Sequence, residues 1–377
     1  MILPDATLGV LGGGQLGRMF VQAARRIGYR VWVLDADPHS PAGSIADRHL
    51  VAPYTEASAL REMSSQCAAI TTEFENVPAE TLAFLEARVP VRPGSGAVAI
   101  ARDRIQEKTF IRTLGLATAP FVAVCTSEDL KQACTRIKLP ALLKTAQLGY
   151  DGKGQFLIEN AADADHGFRQ LGEAACILEE RVELQQELSV ILARGVDGTM
   201  TVYPVGENVH VNGVLDTTSV PARISPAIAQ QAVQMAQSLA VALDYCGVLA
   251  VEFFLTRSGE LLINEMAPRP HNSGHYTLDA CVTSQFEQQV RTLCGLAPGA
   301  TTLLSPAVMI NLLGDLWHSE PPPWQQLFQH PGAKLHLYGK RQARQGRKMG
   351  HYTCLAAQLD DAAAMAEEIR RALLGDA

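Results

Sequence analysis

The stretch VEFFLTRSGELLINEMAPRPHNSGH, residues 251–275, concentrates more chemistry than any other part of the chain. Ser258-Gly259 is a strong two-residue hairpin signal, and a turn there sets Glu252 directly opposite Glu265. Carboxylates paired across neighbouring strands sit ~5 Å apart on one face, and two like charges so close need a cation between them. Oxygen-only donors favour Mg²⁺, which takes one or two carboxylates and draws its other ligands from water and phosphates. The plainer alternative is two unrelated glutamates on a solvated strand face, but Phe254 and Ile263, expected beside them, make a poor solvent surface. His271 and His275 are four apart, a spacing that suits zinc on a helix. Pro270, Asn272, Ser273 and Gly274 disfavour that helix, so both histidines are expected in a loop that touches a substrate.

Three further stretches carry weaker signals. In LLKTAQLGYDGKGQ (142–155), Lys144 ends an apolar strand and Gly149, Gly152 and Gly154 follow. Glycines let backbone N–H groups approach phosphate oxygens, and the lysine adds a point charge, although no G-K-[ST] opens a helix as in a Walker loop. Alone, such a loop is more often a plain turn. In LEERVELQQELSV (178–190), backbone at a strand end could read an adenine edge and a later acid could take ribose hydroxyls, although charged residues after a strand are usually a solvated edge. In LGVLGGGQLGR (8–18), Gly12, Gly14 and Gly17 fit G-x-G-x-x-G, with Asp35 where a dinucleotide-binding fold keeps its ribose-binding acid. That motif alone suggests an NAD-dependent oxidoreductase.

These groups have to be positioned by regular elements. Leu16, Met19, Ala23, Ala24 and Ile27 recur at helical spacing after the first strand, with Gly28 as the stop. Strands and helices then alternate, including a helix opened by Pro78, which predicts a parallel α/β domain over 1–95. One long helix is expected from Ser95 to Leu114 within a connecting segment, 96–117. Residues 118–185 read as a compact α+β module, three strands with one helix, and 186–305 as a mainly antiparallel module with an alanine-rich helix near 226–243. PPPW at 321–324 turns into a small C-terminal segment, 306–377, that carries Lys334, Lys340, Arg341, Arg344, Arg347 and Lys348.

The bulk numbers agree with a globular protein of two or three domains. The chain has 377 residues, 47% apolar and 19% charged, too balanced for disorder. No apolar run reaches the ~18 residues of a membrane span, and the first ten residues lack a basic region leading into an apolar stretch, so neither a membrane nor a secretory signal is expected. A net charge of −7 argues against broad nucleic-acid binding. Cys67, Cys125, Cys134, Cys176, Cys246, Cys281, Cys294 and Cys354 form no C-x-x-C pair, as in reduced thiols of a cytoplasmic protein.

Taken together, GGGQLGR, TTEFENVP, GYDGKGQ, NEMAPRPHNSGH and GRKMGH resemble the ATP-grasp superfamily and, within it, the 5-(carboxyamino)imidazole ribonucleotide synthetase family of purine biosynthesis. The resemblance runs over nearly the whole chain. It implies an ATP-grasp fold: a Rossmann-like N-terminal domain, a small central lid domain at 118–185, and a mainly antiparallel C-terminal domain whose last segment closes the substrate site. It implies ATP, with Mg²⁺ or Mn²⁺, as cofactors, and aminoimidazole ribonucleotide and bicarbonate as substrates of a cytoplasmic homodimer.

The same resemblance implies residue roles. Arg104, Lys108 and Lys144 match positions that contact ATP, and Gly149, Tyr150, Asp151, Gly152, Lys153, Gly154 and Gln155 match a mobile loop over its phosphates. Glu179, Glu180, Arg181 and Val182 match the adenine-reading segment, with Glu187 on the ribose and His210 nearby. Glu252 and Glu265 match metal ligands, beside Asn264. Many ATP-grasp enzymes keep an asparagine two residues after the second glutamate, where this chain has Ala267. For the ribonucleotide the pattern points to Gln15, Leu16, Glu73, Tyr150, Asp151, Lys153, Asn272, Lys340, Arg347 and Lys348, with its phosphate at the glycine turn. Asp35 is then left to cap a strand end. Lys144 and Arg269 are expected to carry phosphoryl transfer, and Asp151 and His271 to handle the amine and its proton. A formate-dependent glycinamide ribonucleotide transformylase, sharing the fold and P-R-P-H, is the nearest rival, and a non-catalytic nucleotide-binding module the blandest.

Overall fold

The computed structural model describes residues 1–149, 152–317 and 321–375. Its first sheet is parallel: β1 (Thr7–Leu11), β2 (Arg30–Leu34), β3 (Arg48–Leu50) and β4 (Ala69–Thr72), in the order β3-β2-β1-β4. Helices α1 (Gln15–Arg26), α2 (Ala57–Gln66) and α3 (Ala79–Glu86) make the crossovers. α1 buries Met19, Phe20, Val21 and Ala24, and the chain leaves it through Gly28 at φ 93°. The strand order reverses between β1 and β4, and ligands of open α/β sheets bind at such a crevice. The glycine loop after β1 and Glu73 after β4 meet there.

The single helix expected over Ser95–Leu114 is two, α4 (Ser95–Ala101) and α5 (Arg104–Thr113). The break is an internal cap: Asp103 accepts from the Ile105 and Gln106 N–H groups at 3.0 and 3.1 Å, and its other oxygen takes the Gln147 side chain at 2.8 Å. Apolar periodicity runs on through the cap and hides it. The redirected α5 carries Arg104, Glu107 and Lys108 toward the site.

The second sheet contains β5 (Phe121–Val124), β6 (Ala141–Thr145), β7 (Gln155–Ile158) and β8 (Cys176–Glu180), antiparallel in the order β5-β8-β6-β7. Two helices, α6 (Ser127–Arg136) and α7 (Ala164–Gln170), pack Leu130, Ala133 and Phe168 onto Leu143 and Leu178. The sequence reading lacked β5 and one of these helices.

The third sheet holds β9 (Leu184–Arg194), β10 (Met200–Val202), β11 (Gly206–Val211), β12 (Val214–Val220), β13 (Gly247–Thr256), β14 (Leu261–Ala267), β15 (Ala307–Leu313), β16 (Ala333–Leu337) and β17 (Lys348–Leu355). Their order is β14-β13-β9-β11-β12-β15-β17-β16, with β10 beside β9. Residues beyond 306, expected as a separate segment, therefore continue this sheet: β15 pairs with β12 and removes an unpaired edge. The helices are α8 (Pro226–Ala242), α9 (Thr277–Ala280), α10 (Gln285–Leu293), α11 (Trp324–Phe328) and α12 (Leu359–Leu374). α8 covers one core, and α10 packs Val290 and Leu293 against Phe20 and Val21 of α1, so the first and third sheets share apolar packing.

Candidate active site

Glu252 and Glu265 are directly paired between β13 and β14. The connection is one residue longer than the expected two-residue turn. Thr256 N–H donates to Glu260 C=O at 2.9 Å, and residues 257–259 form the loop, with Gly259 at φ 83°. Next to the turn Leu255 opposes Leu261, Phe254 opposes Leu262 and Phe253 opposes Ile263, and a bulge between Glu252 and Phe253 then restores the expected pairing. Because of the bulge, Ile263 does not share the face of Phe254. It is buried in the core beside Phe253, and Leu262 takes its place on the site wall.

The wall bounds a cleft of about 1020 Å³ between the second and third sheets. Lys144, Gly152, Gln155, Glu179, Glu180, Arg181, Val182, Glu187, His210, Glu252, Asn264 and Glu265 line it, with Arg104 at one end. Glu179 is buried, accepts from Lys144 through Oε2 and forms an ion pair with Lys108 through Oε1. Burial alone raises its pKa, but the two ammonium groups outweigh that and hold it at about 2. Lys108 also donates to the Asn264 carbonyl at 3.0 Å and lies under the cleft floor, outside its lining. Glu187 is hydrogen-bonded to His210. Burial lowers that imidazole's pKa, but the bond and the charges of Glu252 and Glu187 raise it more.

Glu252 is the strained member of the glutamate pair. Burial, and then the charge of Glu265, push its carboxyl up to about 7. Its Oε1 has no hydrogen-bond partner among the described residues. A buried, unsatisfied carboxylate oxygen beside a second carboxylate fits a hard divalent cation. Arg104 Nη2 stands 3.6 Å from Glu265 Oε2 and donates to the carbonyls of Gly149 and, through Nη1, Thr145. In the glycine-rich loop, a Cβ on Gly152 would lie 3.1 Å from the Asn212 carbonyl, so the loop rests on the β11–β12 turn and needs glycine there. Lys153 is exposed and Gly154 adopts φ 70°. Tyr150 and Asp151 lie outside the described residues.

A second cleft of about 400 Å³ opens at the switch point of the first sheet and shares Arg104 and Glu265 with the first cleft. Gln15, Leu16, Glu73, Arg269, His271, Asn272 and Lys348 line it. The glycine loop is held differently from the expectation of a phosphate on its amides. Glu73 accepts from the N–H groups of Gly14 and, at 2.6 Å, Gly17, while Asp35 accepts from Gly13 at 2.7 Å. These carboxylates occupy donors that a pyrophosphate would need, which removes the physical basis of the NAD reading. Asp35 also takes the Tyr54 hydroxyl at 2.9 Å and the Asp37 N–H at 2.8 Å, so it is the buckle of the loop that follows β2.

The PRPHNSGH loop divides its residues. Arg269 pairs with Glu75 at 2.6 Å. His271 is kept neutral by burial and by the neighbouring Arg269 and Lys348, and its Nδ1 accepts from the hydroxyl and N–H of Ser273 at 2.9 and 3.3 Å. Asn272 is buried, and both its side-chain oxygen and nitrogen lack partners among the described residues. His275, expected to touch substrate, is instead fully buried against His351 at 4.8 Å, outside both linings. Lys340, which donates to the Lys348 carbonyl at 2.6 Å, and Arg347, which donates to that of Gln342 at 2.8 Å, are also outside both linings.

Glu107 in the second cleft, like the Glu75 that pairs with Arg269, was not among the site residues expected from the sequence. Glu107, buried, accepts from Met266 N–H at 2.5 Å, so α5 grips β14 on both sides of Glu265, through Glu107 at Met266 and Lys108 at Asn264. Burial, then Glu265, raise the Glu107 carboxyl to about 8. The only signal was the i, i+3, i+4 spacing of Arg104, Glu107 and Lys108 on one helix.

Residues 109–286 match the ATP-grasp domain, 5–102 the ribonucleotide synthetase preATP-grasp domain, and 307–365 the phosphoribosylaminoimidazole carboxylase C-terminal domain. The N5-carboxyaminoimidazole ribonucleotide synthase of Bacillus subtilis (strain 168) is 44% identical over 364 residues, covering 96% of this chain and 94% of its own length. Among solved structures, an ADP complex of N5-carboxyaminoimidazole ribonucleotide synthetase aligns with a TM-score of 0.93 at 42% identity, over 98% of this chain and 97% of that one. The Aspergillus clavatus N5-carboxyaminoimidazole synthase, in complex with ADP and 5-aminoimidazole ribonucleotide, aligns with a TM-score of 0.89 at 30% identity, over 98% of each chain.

Proposed function

The chain belongs to the N5-carboxyaminoimidazole ribonucleotide synthase family of ATP-grasp ligases, and on that premise we propose how its two clefts divide the reaction. The protein is an ATP-dependent ligase of purine biosynthesis that carboxylates 5-aminoimidazole ribonucleotide. ATP occupies the larger cleft and the ribonucleotide the smaller one. The observation that carries this division is the Arg104–Glu265 pair, which belongs to the linings of both and so marks where the γ-phosphate meets the second substrate.

Bicarbonate is a poor electrophile. Transfer of the γ-phosphoryl group to one of its oxygens leaves ADP and carboxyphosphate, whose carbon, directly or as released CO₂, is then attacked by the ribonucleotide's exocyclic amine, with inorganic phosphate leaving. Lys144 and Arg269 offset charge on the moving phosphoryl group. Glu252 and Glu265 hold Mg²⁺, or Mn²⁺ in its place, which when bound neutralises phosphate charge. The loop from Gly149 to Gln155 excludes water from the carboxyphosphate, and His271, with Asp151, receives the amine proton. His271 is suited to that step because it is neutral; a proton taken on Nδ1, with the Ser273 hydroxyl turning from donor to acceptor, would stand 3.7 Å from Glu252 Oε1. Asn272 and Lys348 meet the ribonucleotide in the smaller cleft.

No helix among the described residues is long and apolar enough to cross a membrane. The reading carries a cytoplasmic homodimer, which sedimentation tests. Its central test is phosphate release from ATP, measured with and without bicarbonate and aminoimidazole ribonucleotide. Release should need bicarbonate and rise with the ribonucleotide; formate replacing bicarbonate would instead support the transformylase.

A further inference from the structure

We infer that Gln285 is the positioning residue of the smaller cleft, fixing His271 and Asn272 where the ribonucleotide binds; this rests on the assignment of that cleft to the ribonucleotide. Gln285 opens α10 and is fully buried, lining neither cleft. Its carboxamide treats His271 as a neighbouring strand would. Oε1 accepts from the His271 N–H at 2.9 Å, and Nε2 donates to the His271 carbonyl at 2.7 Å. Nε2 also reaches His275 Nδ1 at 3.1 Å. The Gln285 backbone N–H donates at 3.0 Å to Thr277 Oγ1, which in turn donates at 2.6 Å to the Gly274 carbonyl.

The loop needs such a partner. Pro268 and Pro270 donate no backbone hydrogen bond, so an outside group has to hold the peptide between them and Asn272. The glycine of HNSGH follows from the same contact, because a Cβ on Gly274 would lie 2.4 Å from Gln285 Oε1. Two consequences reach the cleft. With the His271 backbone gripped on both sides, its ring settles with Nδ1 accepting from Ser273, which leaves Nε2 as the donor of the neutral ring. Asn272 follows directly and presents a buried amide with neither polar atom paired among the described residues. Leaving a buried amide unpaired is costly, and such a feature persists where the surrounding structure holds it in place.

Steady-state kinetics of Gln285→Met, which keeps the volume and removes every carboxamide bond, test the inference. The Michaelis constant for aminoimidazole ribonucleotide should rise at least tenfold while that for ATP stays within twofold, and calorimetric titration of the ribonucleotide onto the ADP-bound protein should weaken in parallel. A residue with only a packing role would lower the melting temperature or the active fraction without that split. If Gln285→Met does not fold, Thr277→Val, which removes the brace behind Gln285, should give the same split at smaller size. An unchanged constant for the ribonucleotide in a folded variant overturns the inference. A wild-type protein that does not turn over the ribonucleotide overturns the cleft assignment instead.

Discussion

Glu252 faces Glu265 across a hairpin closed by a three-residue loop, with a bulge between the loop and the pair. The three-residue loop moves the pairing by one, and the bulge after Glu252 moves it back. A bulge beside a functional group re-aims side chains locally, and here it lets Ile263 turn into the core beside Phe253 while Glu265 stays with Glu252 on the cleft wall.

The pair sets stability against function. Ionised Glu252 is disfavoured in the folded protein, with its pKa raised to about 7, so above that pH it costs the native state on the order of 3 kcal/mol. Glu252→Gln should therefore raise the melting temperature by several degrees at pH 8 without divalent cation, and lower kcat at least a hundredfold when the cation is supplied. Glu265→Ala should likewise abolish turnover in a folded protein. A Glu252→Gln variant that melts lower than wild type under those conditions would remove the like-charge argument.

The glycine loop can be tested separately. A Cβ on Gly14 would lie 2.6 Å from Glu73 Oε1, so Gly14→Val must displace the carboxylate that holds the loop. The Michaelis constant for the ribonucleotide should rise more than tenfold and that for ATP little, since the larger cleft includes neither residue. Equal effects on both constants would contradict two separate clefts.

Legibility in the sequence followed the range of the interaction. The parallel β-α alternation, Pro78 before α3 and the Glu252/Glu265 pairing rest on local patterns, and these were readable. The break at Asp103 was hidden because one capping carboxylate interrupts an unbroken apolar period. Glu73 on the Gly14 and Gly17 amides spans more than fifty residues of sequence, and Glu107 on Met266 more than one hundred and fifty. No spacing rule reaches that far, so a carboxylate already seated on the glycine amides could not be told from a site waiting for phosphate. His275 shows the converse error: it shares a motif with His271, yet a 3-10 turn at Asn272–Gly274 sends it into the core.

The buried histidines should leave a pH signature. Burial, first, and neighbouring histidines hold His351 well below the ordinary imidazole pKa, so it stays neutral in the native state. Below about pH 6.5 the unfolded chain binds a proton there that the folded protein does not, so this residue makes stability fall as pH falls. Glu107 and Glu252, with raised pKa values, pull the other way, and the net slope of the wild type is therefore uninformative. The difference is informative: from pH 6.5 to 5, urea unfolding should show His351→Gln gaining on wild type with a slope that approaches about 1.4 kcal/mol per pH unit at the acid end. Parallel curves would mean that His351 is protonated in the folded protein.

The chemistry itself can be followed by an isotope. If the γ-phosphoryl group passes to a bicarbonate oxygen, breakdown of carboxyphosphate leaves that oxygen on phosphate. With ¹⁸O-labelled bicarbonate, and exchange through CO₂ kept slow, label should therefore appear in the released phosphate. Lys144→Met should slow the transfer by two to three orders of magnitude, on the order of other losses of a transition-state donor. It also leaves Glu179 with Lys108 as its sole remaining lysine partner, so its melting temperature should be measured alongside. Gly152→Val should behave differently. Its side chain meets the β11–β12 turn at the Asn212 carbonyl and its backbone needs φ 74°, so the loop cannot seat. Labelled phosphate should then continue to form with little carboxylated product, because water reaches the intermediate first. Unlabelled phosphate from a wild-type enzyme that is making product would rule out bicarbonate as the acceptor, and with it the part of Lys144 in that transfer.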